Sequence, residues 1–369
     1  MAACLFVSNL FTGKALLKNQ LVTIDNNIII SIEDGDANQA KDAILNLAPG
    51  FIDCQVNGGA YAHFTKDPTV DTIHDIYNAS VESGTAYVLP TLITSSIENI
   101  LKGIEVIKIY QAEYGKLGVL GMHLEGPYIS KQKRGAHLLQ FIQDPTEEAL
   151  DRIISEGQDV IRLMTVAPEK FKREQLQRLI AAGIKVSAGH SSATYAEALE
   201  GFACGIEIVT HLYNAMSAFT HRSPGLVGAT LDSNAVYAPI ILDGEHCDYA
   251  AARIAYNIKK DMLFLISDAL FLGKKVTHFQ WGEFDAALHD NRYTNSDGNL
   301  AGATISMGDA VRNAVQYVHI PLQEAIEMAT IRPDKALGLD GQIGQIAPGY
   351  PAIFTTFDSD LTTFEVLTK

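Results

Sequence analysis

The chain has 369 residues, 47% of them hydrophobic, and a formal net charge of −15. That length and apolar content suit one large domain with a sizeable core beside a small one. The acidic balance argues against nucleic acid as a partner, and no apolar run reaches the roughly eighteen residues needed to span a membrane.

The segment Met1-Ala2-Ala3-Cys4-Leu5-Phe6-Val7 has no basic residue ahead of its apolar part. It reads as a strand and not as a secretion signal, which makes the cytoplasm the expected compartment. Cys4, Cys54, Cys204 and Cys247 are scattered and form no Cys-x-x-Cys pair, so reduced thiols are expected. Neither a P-loop nor a G-x-G-x-x-G string is present, and no nucleotide cofactor is expected.

Leu21–Asp25 and Ile28–Ile32 flank Asn26-Asn27 and read as a hairpin, because Asn tolerates the positive φ of a tight turn. The pattern changes at Pro49-Gly50. From there eight strand-like runs follow: Phe51–Val56, Ala86–Leu92, Leu117–Leu124, Ile161–Val166, Ile184–Ala188, Ile206–Thr210, Val236–Leu242 and Met262–Ser267. Helical spacing marks Thr72–Ser83, Lys172–Ala182, Tyr195–Ala203 and Ala250–Lys259 between them. Alternating β and α predicts a doubly wound sheet or a closed (β/α)8 barrel, and eight units favour closure.

After the eighth strand, the polar stretch Phe279–Gly298 is expected to be a loop or hairpin over the rim. Helices are expected around Ile305–Val318 and Leu322–Ala336, then a turn at Gly344–Tyr350 and a strand at Ala352–Phe357. Short strands at both ends of the chain could pair into a small β domain beside the barrel.

Polar residues with chemical potential cluster at the ends of the apolar runs. Glu125 ends the third run as a metal ligand or as a cap of the next helix. His190 and His211 follow the fifth and sixth runs, where a lone His is more often structural. Taken with Glu125, they offer one carboxylate and two imidazoles to a divalent metal with a position left for water. Asp268 follows the eighth run as a candidate general base, or as a structural partner of a nearby His or Arg. His246 could polarise a carbonyl or sit solvated in a loop. Arg222 could grip phosphate or be a plain surface charge, and His137 is equally ambiguous. Leu300-Ala301-Gly302 is a small-residue turn that could present backbone groups to a ligand.

Pro49–Asp53 and Gly344–Tyr350 resemble the bracketing motifs of the amidohydrolase superfamily. Gln55-Val56-Asn57-Gly58-Gly59, His123–Pro127, Gly189–Ser191, His211–Met216, Asp243–His246 and Leu265–Ala269 resemble those of its N-acetylglucosamine-6-phosphate deacetylase branch. The resemblance implies an α/β fold: a (β/α)8 TIM barrel over 49–344, with a small β-sandwich domain from 1–48 and 345–369. It implies hydrolysis of the acetamide of N-acetyl-D-glucosamine 6-phosphate to acetate and D-glucosamine 6-phosphate, in amino-sugar catabolism.

Many amidohydrolases carry His-x-His at the first strand, where this chain has Gln55 and Asn57. Neutral amides are poor zinc ligands, so one metal is expected and not two. By resemblance, Glu125, His190 and His211 hold that ion, most often zinc, with iron, cobalt or manganese as alternatives. Asp268 becomes the catalytic acid and base, and His246 orients the acetyl carbonyl. Substrate contacts are implied for Ala136, His137, Asn214, Ala215, Arg222, Leu300, Ala301 and Gly302. Arg222 is expected on the phosphate, reaching across a homodimer interface. The rivals are a two-metal cyclic-amide hydrolase or deaminase, and a sugar-phosphate sensor that has lost turnover.

Overall fold

The computed structural model describes residues 3–36, 43–339 and 341–369. Met1 and Ala2 of the expected first strand, and 37–42 of the expected small domain, lie outside the described residues. The chain begins with β1 (Ala3–Phe11), β2 (Leu16–Asp25), β3 (Ile28–Asp34) and β4 (Ile44–Pro49). Eight barrel strands follow: β5 (Phe51–Val56), β6 (Thr85–Ile93), β7 (Met122–Glu125), β8 (Ile161–Val166), β9 (Lys185–Ala188), β10 (Ile208–Val209), β11 (Ala238–Ile240) and β12 (Leu263–Leu265). Every residue of β5, β6 and β7 is buried. Such continuous burial is what parallel strands show when helices cover the outside and side chains fill the inside.

β5 to β10 form one parallel sheet in sequence order, and β11 pairs parallel with β12. Backbone bonds from Val209 to Tyr237 (2.9 Å) and from Leu212 to Pro239 (2.8 Å) join β10 to β11. The ring closes where Asp268 N–H donates to Gln55 O (3.0 Å) and Asn57 N–H to Ala269 O (2.9 Å). Asp53 latches the same seam, its Oδ1 accepting from the backbone of Gln55 and of Ser267, each at 3.2 Å. Burial pushes the Asp53 carboxyl up to about 7. This is the expected TIM barrel.

β5 and β8 match their apolar runs and β6 extends one residue past its run at each end, but β7 and β9 to β12 are shorter than theirs. The run at Leu117 is expected to be extended, but β7 begins only at Met122. Gly118 and Gly121 take φ of 96° and 146°, which interrupts a continuous ladder. The four expected helices are present at Val70–Glu82, Arg173–Ala181, Tyr195–Ala203 and Tyr249–Lys259. Three more occupy Ile97–Tyr114, Glu147–Gly157 and Gly225–Asp232. The expected helix at Leu322–Ala336 is two, Leu322–Ala329 and Ile331–Leu337, broken at Thr330 (φ −132°, ψ −88°). Pro333 brings no N–H to continue the ladder across that break. The helix expected over Ile305–Val318 runs from Met307 to Asn313 and continues as a wider turn to Val318.

The polar insertion is a three-stranded antiparallel sheet: β13 (His278–Trp281), β14 (Phe284–His289) and β15 (Arg292–Thr294). Its Phe279, Phe284 and Tyr293 pack with Phe271, Leu138 and Ile93 of the barrel rim. Last come β16 (Ile353–Phe357) and β17 (Phe364–Thr368). They join the opening strands in one six-stranded sheet ordered β17-β16-β4-β1-β2-β3. That sheet has its own core of Val7, Leu10, Val22, Ile24, Ile29, Leu47, Ile346, Ala352 and Phe354. The β2–β3 turn has positive φ at both Asn26 (49°) and Asn27 (61°), as a two-residue hairpin requires.

Candidate active site

The barrel delivers its polar groups to one rim. Glu125 is the last residue of β7, and His190, His211 and Asp268 lie two or three residues beyond β9, β10 and β12. All three of the latter have left-handed backbone, with φ of 47°, 33° and 49°. Non-glycine residues hold that conformation only where their surroundings fix it. Here Ser130 N–H donates to His190 O (2.8 Å), Asn214 N–H to His211 O (2.9 Å) and Ala303 N–H to Asp268 O (2.8 Å). Gly189 lets the neighbouring strand come close, since a Cβ there would sit 2.6 Å from Thr210 Cβ.

Three ligand-type atoms converge. Glu125 Oε1 lies 3.1 Å from His190 Nε2 and 3.0 Å from His211 Nε2, and the two nitrogens are 3.1 Å apart. His190 Nδ1–H donates to Lys133 O at 2.8 Å, which leaves its Nε2 lone pair facing the carboxylate. Two lone pairs at that distance call for a cation between them, a shared proton or a metal ion. Atoms that each stand about 2.0–2.1 Å from one ion lie roughly 3 Å from one another. Carboxylate and imidazole are donors suited to a divalent metal, and an imidazole anchored through its other nitrogen is the usual form of such a ligand. Burial works to raise the Glu125 carboxyl, but the His190 and His211 bonds outweigh it and hold it well below the carboxylate range.

His137 is the third imidazole nearby. Glu125, His137 and His190 place one ligand atom each within 4.8 Å of one another. However, His137 Nε2 is 3.9 Å from Glu125, farther than His211, and its Nδ1 bonds Thr94 Oγ1 at 2.8 Å. Burial, then His190, push His137 well below the usual imidazole range, so it is neutral. Below the cluster, hydroxyls form a chain: His123 Nε2–Thr165 Oγ1, Thr165 Oγ1–Thr210 Oγ1 and Thr210 Oγ1–Ser187 Oγ, each 2.7 Å.

Asp268 is buried beside this cluster. Its Oδ1 accepts from Gln55 Nε2 (3.0 Å) and Asn57 Nδ2 (2.9 Å). Burial first, and Glu125 next, raise its carboxyl above the ordinary value. The two amides at the first strand therefore present N–H donors to carboxylates. His246 Nδ1–H donates to Asp243 Oδ2 at 2.6 Å, and this leaves Nε2 for a ligand. Burial tends to raise Asp243, but His246 outweighs it and keeps the carboxyl below its usual value.

These groups line a cavity of about 450 Å³. Its wall includes Asn57, Glu125, Ala136, His137, His190, His211, Asn214, Ala215, His246, Asp268, Leu300, Ala301 and Gly302. Arg222 is exposed and lies outside that wall. The wall also contains His63, Lys133 and, from the inserted sheet, Phe284, none of which sequence reasoning singled out. The basic string Lys131-Gln132-Lys133-Arg134 ahead of His137 was a legible signal for Lys133; His63, alone in an apolar stretch, carried none.

The Amidohydrolase family model matches residues 46–369. The N-acetylglucosamine-6-phosphate deacetylase of Haemophilus influenzae is 37% identical over 316 residues, 85% of this chain and 82% of that protein. The N-acetylgalactosamine-6-phosphate deacetylase of a Shewanella species is 37% identical over 317 residues, 85% of this chain and 79% of that protein. A mutant N-acetyl-D-glucosamine-6-phosphate deacetylase from Mycobacterium smegmatis, solved in complex with N-acetyl-D-glucosamine-6-phosphate, superposes with a TM-score of 0.92 at 26% identity, covering 99% of this chain and 97% of that one.

Proposed function

The chain belongs to the amidohydrolase family, and from that premise we propose that it hydrolyses the acetamide of N-acetyl-D-glucosamine 6-phosphate to D-glucosamine 6-phosphate and acetate. The observation that carries this reading is the convergence of Glu125, His190, His211 and Asp268 in one buried cavity at the barrel rim. Relatives acting on N-acetylhexosamine 6-phosphates, alike over most of the chain, supply the substrate class.

Glu125, His190 and His211 would hold one divalent ion, zinc by preference, given two imidazoles and a carboxylate. Bound there, such an ion would supply Lewis acidity, lowering the pKa of a water and polarising the amide carbonyl. Asp268 takes a proton from the attacking water as the C–O bond forms. It returns a proton to the amide nitrogen as the C–N bond breaks, so that a neutral amine departs. Its burial suits the task, since a raised pKa makes the carboxylate a stronger base toward water and lets it hold the proton until the amide nitrogen takes it. His246, its Nδ1–H held by Asp243, orients the acetyl carbonyl from its Nε2 side.

Ala136, His137, Asn214, Ala215 and the Leu300–Gly302 turn contact the sugar phosphate within the chain. Arg222, which lies off its own cavity wall, reaches the phosphate of a partner's site in a homodimer. The barrel comprises 49–344 and the small β domain 1–48 with 345–369. Among the described residues no helix is long and apolar enough to cross a membrane, and the cytoplasm is the compartment that fits a sugar-phosphate substrate. The deciding experiment measures acetate release from the gluco and galacto 6-phosphates beside elemental analysis. The reading requires turnover of the gluco substrate with about one divalent ion per chain. Absence of acetate release, or two ions per chain, defeats it.

A further inference from the structure

The loop after β5 carries a histidine that the mechanism above does not use. His63 is 1% exposed and lines the cavity, yet neither of its ring nitrogens has a hydrogen-bond partner in the protein. Its ring stacks on Phe279 of the inserted sheet, centroids 4.8 Å apart at 29°, with Phe271 at 6.0 Å. Backbone bonds from Phe64 to Asn57 (3.0 Å) and from Gly59 to Ala62 (2.9 Å) fold this loop so that His63 returns to Asn57. Asn57 also lines the cavity; its Nδ2 serves Asp268, while its Oδ1 is buried and unpartnered. Three orphan polar atoms thus share one loop of the cavity wall. Buried polar atoms are almost always paired, so their partner must come from what fills the cavity.

The chemistry of the orphans limits that partner. Burial, and next the nearby Lys66 charge, push the His63 imidazole down to about 3, so the ring is neutral. A neutral imidazole offers one donor and one acceptor, and Asn57 Oδ1 offers a further acceptor. This set suits a hydroxyl, which both gives and takes a hydrogen bond. It suits a phosphate poorly, because phosphate needs cations, and the acetamide belongs beside Asp268.

We propose that His63 and Asn57 form a subsite that reads a ring hydroxyl of the substrate sugar, making His63 a specificity-determining residue. The inference rests on the amino-sugar phosphate reading above. Stacking against Phe279 fixes the plane of the imidazole, so the bond it offers is directional.

The test compares wild type, His63→Phe and His63→Gln on N-acetyl-D-glucosamine 6-phosphate and on its 1-, 3- and 4-deoxy analogues. Phe keeps the stacked ring without its nitrogens, and Gln restores a donor and an acceptor. On the parent sugar His63→Phe is expected to lose about 10- to 100-fold in kcat/KM, chiefly through KM, the range for leaving a buried polar group unpaired. On the one deoxy analogue lacking the hydroxyl that is read, most of that loss disappears, and His63→Gln regains much of the parent activity. Equal losses on the parent and all three analogues, or an unchanged KM, overturn the proposal.

A second measurement needs no variant that folds well. Ring-nitrogen resonances of His63 in the wild-type protein should shift when D-glucosamine 6-phosphate is added, and their constancy at saturation also overturns it. Wild-type acetate release judges the parent reading separately. If it is present while the His63 comparisons are flat, only the subsite fails; if it is absent, both fall.

Discussion

The Gln55 side-chain amide donates to Asp268 Oδ1 at 3.0 Å and stands 3.2 Å from both oxygens of Glu125. One neutral group therefore sits between two buried carboxylates. Burial first, and Glu125 next, raise the Asp268 carboxyl, while His211, His246 and the Asn57 amide work to lower it. Gln55 and Asn57 are the two amide donors to its Oδ1. Replacing Gln55 by Leu removes one of those donors, so Asp268 should hold its proton to higher pH. Since the base form starts the reaction, the acid limb of the kcat/KM profile should move to higher pH. Turnover at neutral pH should drop about 10-fold. A pH–rate profile of Gln55→Leu superimposable on wild type would contradict this coupling.

Asp268→Asn keeps the shape and both strand-end hydrogen bonds of the backbone but cannot move a proton. Turnover should fall by about 10²- to 10⁴-fold with KM within a few-fold of wild type. Steady-state kinetics on the gluco substrate checks this. A variant that loses KM instead of kcat would make Asp268 a binding group.

Much of this arrangement could be read from the sequence because burial and strand length are local properties. Phe51–Val56 and Ile161–Val166 were bounded correctly by apolar content alone, since both faces of a barrel strand are covered. Leu117 was not, because two glycines with positive φ end the ladder in a way apolar content cannot register. The helix at Glu147–Gly157 carried a legible start in Thr146, whose side chain accepts from Ala149 N–H. Ile97–Tyr114 was harder: its apolar residues spread around the axis and blur the period. Strand-end residues such as His190 and Asp268 were visible as polar interruptions of apolar runs. His63 was invisible, because its place in the cavity wall depends on Phe279, more than two hundred positions away in an inserted sheet.

If Glu125, His190 and His211 hold the proposed ion, metal content and stability are tied together. Chelation should abolish acetate release and lower the thermal midpoint, because three buried ligand atoms lose the cation they share. One equivalent of zinc per chain should restore both. Calorimetry at fixed protein concentration, with and without chelator, gives the answer. An unchanged midpoint in metal-free protein would place the ion elsewhere.

Arg222 is exposed and absent from the cavity wall of its own chain. If it serves a partner's site, Arg222→Ala and Asp268→Asn chains should be individually impaired yet complement each other when mixed. Random exchange makes half the dimers mixed, each with one intact site, so about a quarter of wild-type activity should return. Dilution and reassociation of the two variants, followed by an acetate assay, tests it. No recovery in dimers shown to be mixed would assign Arg222 to its own subunit or to the surface.

Finally, the buried neutral state of His63 should leave a mark on acid stability. Burial and Lys66 hold its folded pKa near 3, below the 6.5 of a free imidazole. Between those values the unfolded chain takes up a proton that the folded chain refuses. The stability this group contributes is therefore complete above pH 6.5 and is lost as pH falls toward about 3. His63→Phe cannot take up that proton in either state. Relative to wild type, the Phe variant should thus gain stability on going from pH 7 to pH 4.5, whatever the substitution costs at pH 7. Denaturant unfolding of both proteins at the two pH values measures the difference directly. An identical gap at pH 7 and pH 4.5 would mean that His63 is already solvated and charged in the folded chain at the lower pH. The same result would count against its role as a neutral reader of a sugar hydroxyl.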